Sequence, residues 1–72
     1  MEQKFNIGDS VVLKNGSGPK VVLDDKLGED KNGMHYFDGT YQCAWYDANQ
    51  DIKIEIISQN DLVPTRKLVR SF

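Results

Sequence analysis

The sequence predicts an all-β protein: a small SH3-like five-stranded barrel with a one-turn helix before the last strand. The longest run of strand-favouring residues, Thr40–Tyr46, holds the only Trp and the only Cys of the chain. Its β-branched and aromatic side chains suit a pleated, half-buried surface. Further short alternating segments are separated by Gly, Asn, Asp and Pro. The 72 residues form one small domain, and closing the sheet removes the exposed edges that an open sheet of this size would have to protect.

The first part of the chain predicts two strands joined by a tight turn. Residues 10–14 and 20–24 alternate, and residues 15–19 between them contain two glycines and a proline. Glycine tolerates positive φ and proline fixes φ, so this segment favours a hairpin connection. The side chains predicted to face the core are Val11, Leu13, Val21 and Leu23.

The second part predicts a long loop, two strands, a single helical turn and a last strand. Residues 25–38 carry charges, Asn and Gly without alternation, which predicts a long, mobile loop. A polar turn at 47–51 joins the third strand, Thr40–Tyr46, to a fourth at 52–57, and Ser58 caps a single helical turn. The side chains of these strands predicted to line one interior are Tyr41, Cys43, Trp45, Ile52, Ile54 and Ile56.

The predicted domain spans residues 1–72, with a core at 5–65 and a basic C-terminal tail at 66–72. Three roles for the tail stay open: it frays, it packs back on the barrel, or it forms a dimer contact. The alternative fold is a partly open β-roll in which the tail adds a strand. The expected oligomeric state is a monomer or a weak homodimer.

Composition limits the location and the partners. A net charge of −2 disfavours a nucleic-acid binder, whose affinity comes largely from phosphate neutralisation. A single Cys forms no internal disulfide, and no apolar signal-peptide core follows Met1, so we expect a reducing cytoplasm. No apolar run approaches the roughly 20 residues that span a bilayer, which predicts no membrane association.

The candidate chemical residues predict no enzyme, no metal site and no cofactor. Cys43 is the only thiol and His35 the only imidazole, which falls short of a tetrahedral ligand set. Cys43 lies on the predicted inward face, where a free Cys acts as a small apolar filler. Residues 47–51 begin like a calcium loop but place Ile52 where Gly is needed and Ser58 where a carboxylate is needed, so a turn is predicted.

The predicted function is that of an interaction module binding a protein or peptide through an aromatic surface beside the long loop. Tyr36 and Tyr46 are the tyrosines expected to be exposed, because a phenol keeps its hydroxyl in water while its ring packs. Lys14 and Lys20 flank the glycine turn and complete the predicted ligand-binding set. The alternative is RNA or DNA binding through a local basic patch, formed if the tail lies beside that turn.

Two stretches resemble the YodC-like family of small bacterial proteins, a family of uncharacterised function: GDSVVLKNGSGPK at 8–20 and CAWYD at 43–47. The resemblance implies an SH3-like barrel and brings no catalytic residues. The glycine turn is one residue longer than is usual in that family, and the 25–38 loop and the tail are also longer. The residues that fall on the family pattern are Gly8, Asp9, Val11, Leu13, Lys14, Gly16, Gly18, Pro19, Cys43, Trp45 and Tyr46.

Overall fold

The computed structural model describes residues 2–16 and 18–65. Its regular structure there is entirely β apart from one turn of 3₁₀ helix, Gln59–Asp61, so the predicted all-β class is confirmed. None of these residues belongs to a helix with the length and apolarity needed to cross a bilayer. The strands are β1 Ser10–Leu13, β2 Lys20–Asp24, β3 Gly28–Glu29, β4 His35–Tyr36, β5 Thr40–Tyr46, β6 Ile52–Ser58 and β7 Leu62–Pro64.

Five strands form one antiparallel sheet in the order β6-β5-β2-β1-β7, while β3 and β4 form a separate hairpin. Within the described ranges no pairing joins β6 to β7, so the sheet is open and the predicted closure of the barrel is not found. β7 has three residues and ends at Pro64, which has no backbone N–H to donate to a further strand. The proposed extra strand from the tail falls on residues 66–72, outside the described part of the chain.

The predicted single helical turn is confirmed. Ser58 has an extended backbone, and its Oγ accepts a hydrogen bond from the backbone N of Asn60 at 3.2 Å. This bond satisfies one of the N–H groups that a helical turn leaves without a partner.

The core lies between the inner face of the larger sheet and the N-terminal segment. The Phe5 and Tyr41 rings meet edge to face, with centroids 5.6 Å apart. Leu13 and Phe37 pack against the cluster from its margin. The inward prediction for Val11, Tyr41 and Cys43 is confirmed. The buried apolar residues are Phe5, Val11, Val22, Tyr41, Cys43, Ile57 and Leu62.

A buried polar node ties the N-terminal segment to the sheet. The Tyr41 hydroxyl donates to Oε1 of Gln59 and accepts from the backbone N of Phe5 at 3.1 Å. The Gln59 side chain also accepts from the backbone N of Lys4 and donates to the carbonyl oxygen of Glu2, both at 2.8 Å. Buried polar groups are tolerated when they are hydrogen-bonded in this way.

The predicted inward face of β2 is wrong. Val21 and Leu23 are 44% and 43% exposed, whereas Val22 is fully buried and Lys20 is 5% exposed. Val22 lies opposite Cys43 of β5 and therefore enters the core. The segment KVVLD offers an apolar side chain to either face, and its pairing with β5 decides which face is buried.

The predicted inward face of β6 is also wrong. Ile52, Ile54 and Ile56 are 61%, 56% and 61% exposed. The register places these isoleucines opposite Tyr46, Ala44 and Gln42, on the other side of the sheet from the core residues of β5. Ile57 is the residue of β6 that is buried in the core.

Residues 25–38, predicted as one long loop, contain the β3–β4 hairpin. Gly28 lies opposite Tyr36, and a Cβ added at Gly28 would be 2.5 Å from Cε2 of the Tyr36 ring. In the hairpin turn, Oδ1 of Asp30 accepts from the backbone N of Met34 at 2.9 Å. Strands of two residues are too short to show an alternating pattern, so no periodicity indicated them.

Candidate functional site

An apolar surface covers the outer face of the larger sheet across β2, β5 and β6. Except for the short side chain of Ala44, its members are large apolar residues between 43% and 70% exposed. Contiguous apolar patches of this kind on a soluble protein mark interaction sites more often than scattered single residues do. We call this the outer apolar surface, and its residues are Val21, Leu23, Ala44, Tyr46, Ile52, Ile54 and Ile56.

Strand register explains how these side chains come together. Val21, Ala44 and Ile54 form one row across three adjacent strands, and Tyr46 lies opposite Ile52 in a second row. The small Ala44 between two branched side chains leaves a shallow apolar depression of about 560 Å³. The depression extends to Pro19, Leu23 and Trp45.

Lys20 does not provide the exposed charge that the sequence analysis assigned to it. Its side chain is buried, and Nζ lies 4.5 Å from the centroid of the Trp45 ring and 3.3 Å from the carbonyl oxygen of Gly18. An ammonium over an indole face is stabilised by the ring quadrupole. The contact supports Trp45, which is half-buried.

The other three predicted binding residues lie in different parts of the fold. Tyr46 is 70% exposed and belongs to the outer apolar surface. Tyr36 is 49% exposed on the β3–β4 hairpin, where its ring covers Gly28, outside the outer apolar surface. Lys14 is exposed after β1, and its backbone N donates to the carbonyl oxygen of Asp61 at 2.9 Å. The structure therefore does not gather the predicted set into one site.

Sequence reasoning missed the aliphatic part of the surface. The signal was present, because β5 has its large buried side chains at odd positions and β6 has its isoleucines at even positions. In this hairpin, odd-numbered residues of β5 lie opposite odd-numbered residues of β6, and even lie opposite even. Residues that lie opposite each other share a face of the sheet, so the odd and even residues occupy opposite faces. Combining the two patterns would have placed the isoleucines outside.

The thiol of Cys43 is buried in the core. Burial raises the pKa of Cys43, the nearby Lys20 charge lowers it in part, and Glu55 raises it again, so the pKa stays above its ordinary value. His35 lies exposed on the separate hairpin. Among residues 2–16 and 18–65, no group of three or more His, Cys, Asp and Glu side chains is arranged to hold a metal ion.

The polar segment between β5 and β6 is a turn, as predicted. Oδ1 of Asp47 accepts from the backbone N of Asn49 at 2.8 Å and of Asp51 at 3.0 Å. These bonds occupy the carboxylate that would otherwise begin a calcium loop. They also fix the register of the hairpin that carries the outer apolar surface.

Comparisons of the chain with protein-family models, with curated proteins and with solved structures found no match. The resemblance to the YodC-like family therefore stays a prediction.

Proposed function

We propose that this chain is a non-enzymatic interaction module that binds a protein or peptide through the outer apolar surface. The observation that carries the proposal is a single sheet face with six large apolar side chains, each at least 43% exposed. Covering such a face removes apolar area from water, which is favourable by about 25 cal/mol per Å².

The chemistry of the surface sets the chemistry of the partner. Val21, Leu23 and Ile54 surround the short Ala44 side chain, so the partner inserts an apolar side chain into the depression above it. Tyr46 stands at the end of β5, where its ring packs on the partner and its hydroxyl stays in water. The binding surface is thus mostly aliphatic, with one tyrosine from the originally predicted set.

The proposal includes an SH3-like fold and a location in the bacterial cytoplasm. The antiparallel order of the five strands and the helical turn before β7 support the SH3-like part. The single cysteine, which is free and buried, supports a reducing compartment.

The nucleic-acid alternative has less support. It needs a cluster of exposed cations, but Lys20 is buried against Trp45, which leaves Lys14 as the exposed member of the predicted pair. The remaining basic residues that it needs, Arg66, Lys67 and Arg70, lie outside the described residues.

The test compares a variant of the outer apolar surface with a matched control. In V21T/L23T, two exposed apolar side chains become polar, and the β-branched threonines suit a strand. Ile7→Thr is the control, because Ile7 is 60% exposed but does not contribute to the surface. Peptides selected from a random display library on the wild-type chain provide the probe, and their affinities are measured by calorimetry.

We expect the selected peptides to be rich in apolar residues. Their Kd for V21T/L23T should be at least tenfold higher than for the wild type, a loss of about 1.4 kcal/mol in binding free energy. Their binding to I7T should be unchanged, and the heat-capacity change on binding should be negative. Peptides that bind V21T/L23T and the wild type equally well would show that the binding site lies elsewhere.

A further inference from the structure

Among the described residues, the outer edge of β6 is an open pairing surface. β6 is an end strand of the larger sheet, and no described strand pairs with its outer side. Its seven residues run without an irregularity opposite β5, from Ser58 to Ile52. Strand edges of this kind are usually shortened, bulged, interrupted by proline or protected by charged side chains. β6 carries two charges, Lys53 and Glu55, but no proline and no bulge against β5. β7, at the other end, has only three residues and ends at Pro64.

Hydrogen bonds at both ends of the hairpin show which residues face the open edge. The backbone N of Asp47 donates to the carbonyl oxygen of Asp51, and the backbone N of Gln59 donates to that of Gly39. Both bonds join odd-numbered residues that are opposite each other in the β5–β6 register. Because hydrogen-bonded pairs alternate along an antiparallel ladder, the odd residues of β6 bond to β5. The even residues direct their N–H and C=O groups outward: Ile52, Ile54 and Ile56.

The charges of this edge are self-complementary. Reading outward from Ile54, the sequence IKIEI places Lys53 on one side and Glu55 at the same distance on the other. Both are exposed on the face opposite the isoleucines. Lys53 makes one ion pair, with Nζ 3.6 Å from Oδ2 of Asp47, and its side chain remains 53% exposed.

We infer that two copies of this chain pair through β6, antiparallel, about a twofold axis at Ile54. In that register Ile54 lies opposite Ile54 of the second copy, and each Lys53 lies opposite a Glu55. The isoleucines form the hydrogen-bonded pairs. The Lys–Glu pairs are non-hydrogen-bonded, with Cα atoms about 4.5 Å apart, which brings opposite charges together on both sides of the axis.

Neighbouring registers are disfavoured by the same charges. Moving the axis to residue 53 places Lys53 opposite Lys53 of the second copy, and moving it to residue 55 places Glu55 opposite Glu55. Like charges directly opposite each other destabilise a strand pair. Among these three arrangements the edge therefore specifies one.

The inference does not depend on the proposed function, because it uses the strand edge and the charged face. It has a consequence for that function, however. Edge pairing keeps the isoleucines of both copies on one side of a continuous sheet, so the two outer apolar surfaces become neighbours across the axis. A partner then meets a surface with twofold symmetry.

The test is a charge-swap series on the full chain, followed by sedimentation velocity over a range of concentrations. K53E places Glu opposite Glu, and E55K places Lys opposite Lys, so each alone should lower the association constant at least tenfold. The double variant K53E/E55K restores both pairs and should dimerise like the wild type. A mixture of K53E and E55K should form a heterodimer, because each copy then presents the charge that the other lacks.

A disulfide experiment tests the register independently of charge. Ile54→Cys places two thiols on the axis with Cα atoms about 5.5 Å apart, within reach of a disulfide. Ile52→Cys is the matched control, because its counterpart lies four residues along the paired strand, about 13 Å away. Mild oxidation should cross-link I54C and leave I52C monomeric.

Four results would overturn the inference. One is a wild-type chain that stays monomeric up to millimolar concentration. Another is equal association of K53E, E55K and the wild type, and the third is equal cross-linking of I54C and I52C. The V21T/L23T variant separates this inference from the proposed function, since it should dimerise normally while losing peptide binding. Loss of dimerisation in that variant would point to face-to-face contact between outer apolar surfaces and would also overturn edge pairing.

Discussion

Replacing Tyr41 with Phe tests the buried polar node that holds the N-terminal segment. The change removes one hydroxyl and keeps the ring, which packs between Phe5 and Phe37. The backbone N of Phe5 then loses its acceptor, and Phe5 is only 5% exposed. The side chain of Gln59 keeps its bond from Lys4 at 2.8 Å. One buried donor is therefore left without a partner.

Leaving a buried donor unsatisfied costs about 1–3 kcal/mol, so we expect Y41F to lower the free energy of unfolding by about 2 kcal/mol. The total free energy of unfolding of a domain of this size is roughly 4–10 kcal/mol. With a urea slope of about 1 kcal/mol per M, the unfolding midpoint should fall by about 2 M. Fluorescence of the single, half-buried Trp45 reports the transition.

The matched control is Tyr36→Phe. Tyr36 is 49% exposed, and its hydroxyl makes no hydrogen bond to the described residues, so the change should stay within about 0.5 kcal/mol. A Y41F variant as stable as Y36F would mean that the node does not hold the N-terminal segment in solution.

Two further predictions concern titratable groups. Because burial raises the pKa of Cys43, its thiol should react with a disulfide reagent much more slowly in the native protein than in concentrated urea; equal rates would contradict its place in the core. Burial by itself raises the pKa of Asp25. Hydrogen bonds from Gln3 and Lys26, together with the charge of Lys26, outweigh this effect and hold the pKa below its ordinary value. The stabilisation from Asp25 is then present above the ordinary pKa, near 4, and is lost as the pH falls through the depressed value. Urea unfolding at a series of acidic pH values should show a shallower loss of stability for D25N than for the wild type, and parallel curves would refute this.

Local chemistry made a good part of this fold predictable. The turn at 47–51, the cap at Ser58 and the alternation in β5 depend on residues close together in sequence, and the structure confirms all three. Val11 and Tyr41 also face the core as expected. Such features follow from side chains that bond to their own backbone or alternate along a single strand.

The buried faces of β2 and β6 could not be predicted from either strand considered alone. Ile52, Ile54 and Ile56 show that one face of β6 is apolar, but a period of two does not say which face is buried. The pairing with β5, in which Tyr41 lies opposite Ile57, supplied that information. Moreover, residues 52–56 are exposed on both faces, so that part of β6 contributes no buried side chain to the core.

The predicted site residues are dispersed over the fold for a related reason. Lys20 has no local signal that distinguishes a surface cation from one buried over an indole ring, because Trp45 is distant in sequence. Tyr36 was expected beside a loop, whereas a short strand pair holds its ring over Gly28. The expected exposure of Tyr46 is confirmed, because Tyr46 lies opposite Ile52 on the outer face of the sheet.

Folding and association are expected to be coupled in this protein. Within residues 2–16 and 18–65, the core holds seven buried apolar residues, while six large apolar side chains remain on the outer sheet face. A partner that binds only the folded chain stabilises it by about 2.7 kcal/mol when its free concentration is a hundred times its Kd. This is a large share of the free energy of unfolding of so small a domain. Pairing through β6 acts by the same mass action, with the chain itself as the ligand. Because Lys53 and Glu55 lie on the face opposite the isoleucines, the two kinds of association need not compete for the same side chains. Stability that rises with protein concentration, and rises again when a peptide is added, follows from that arrangement.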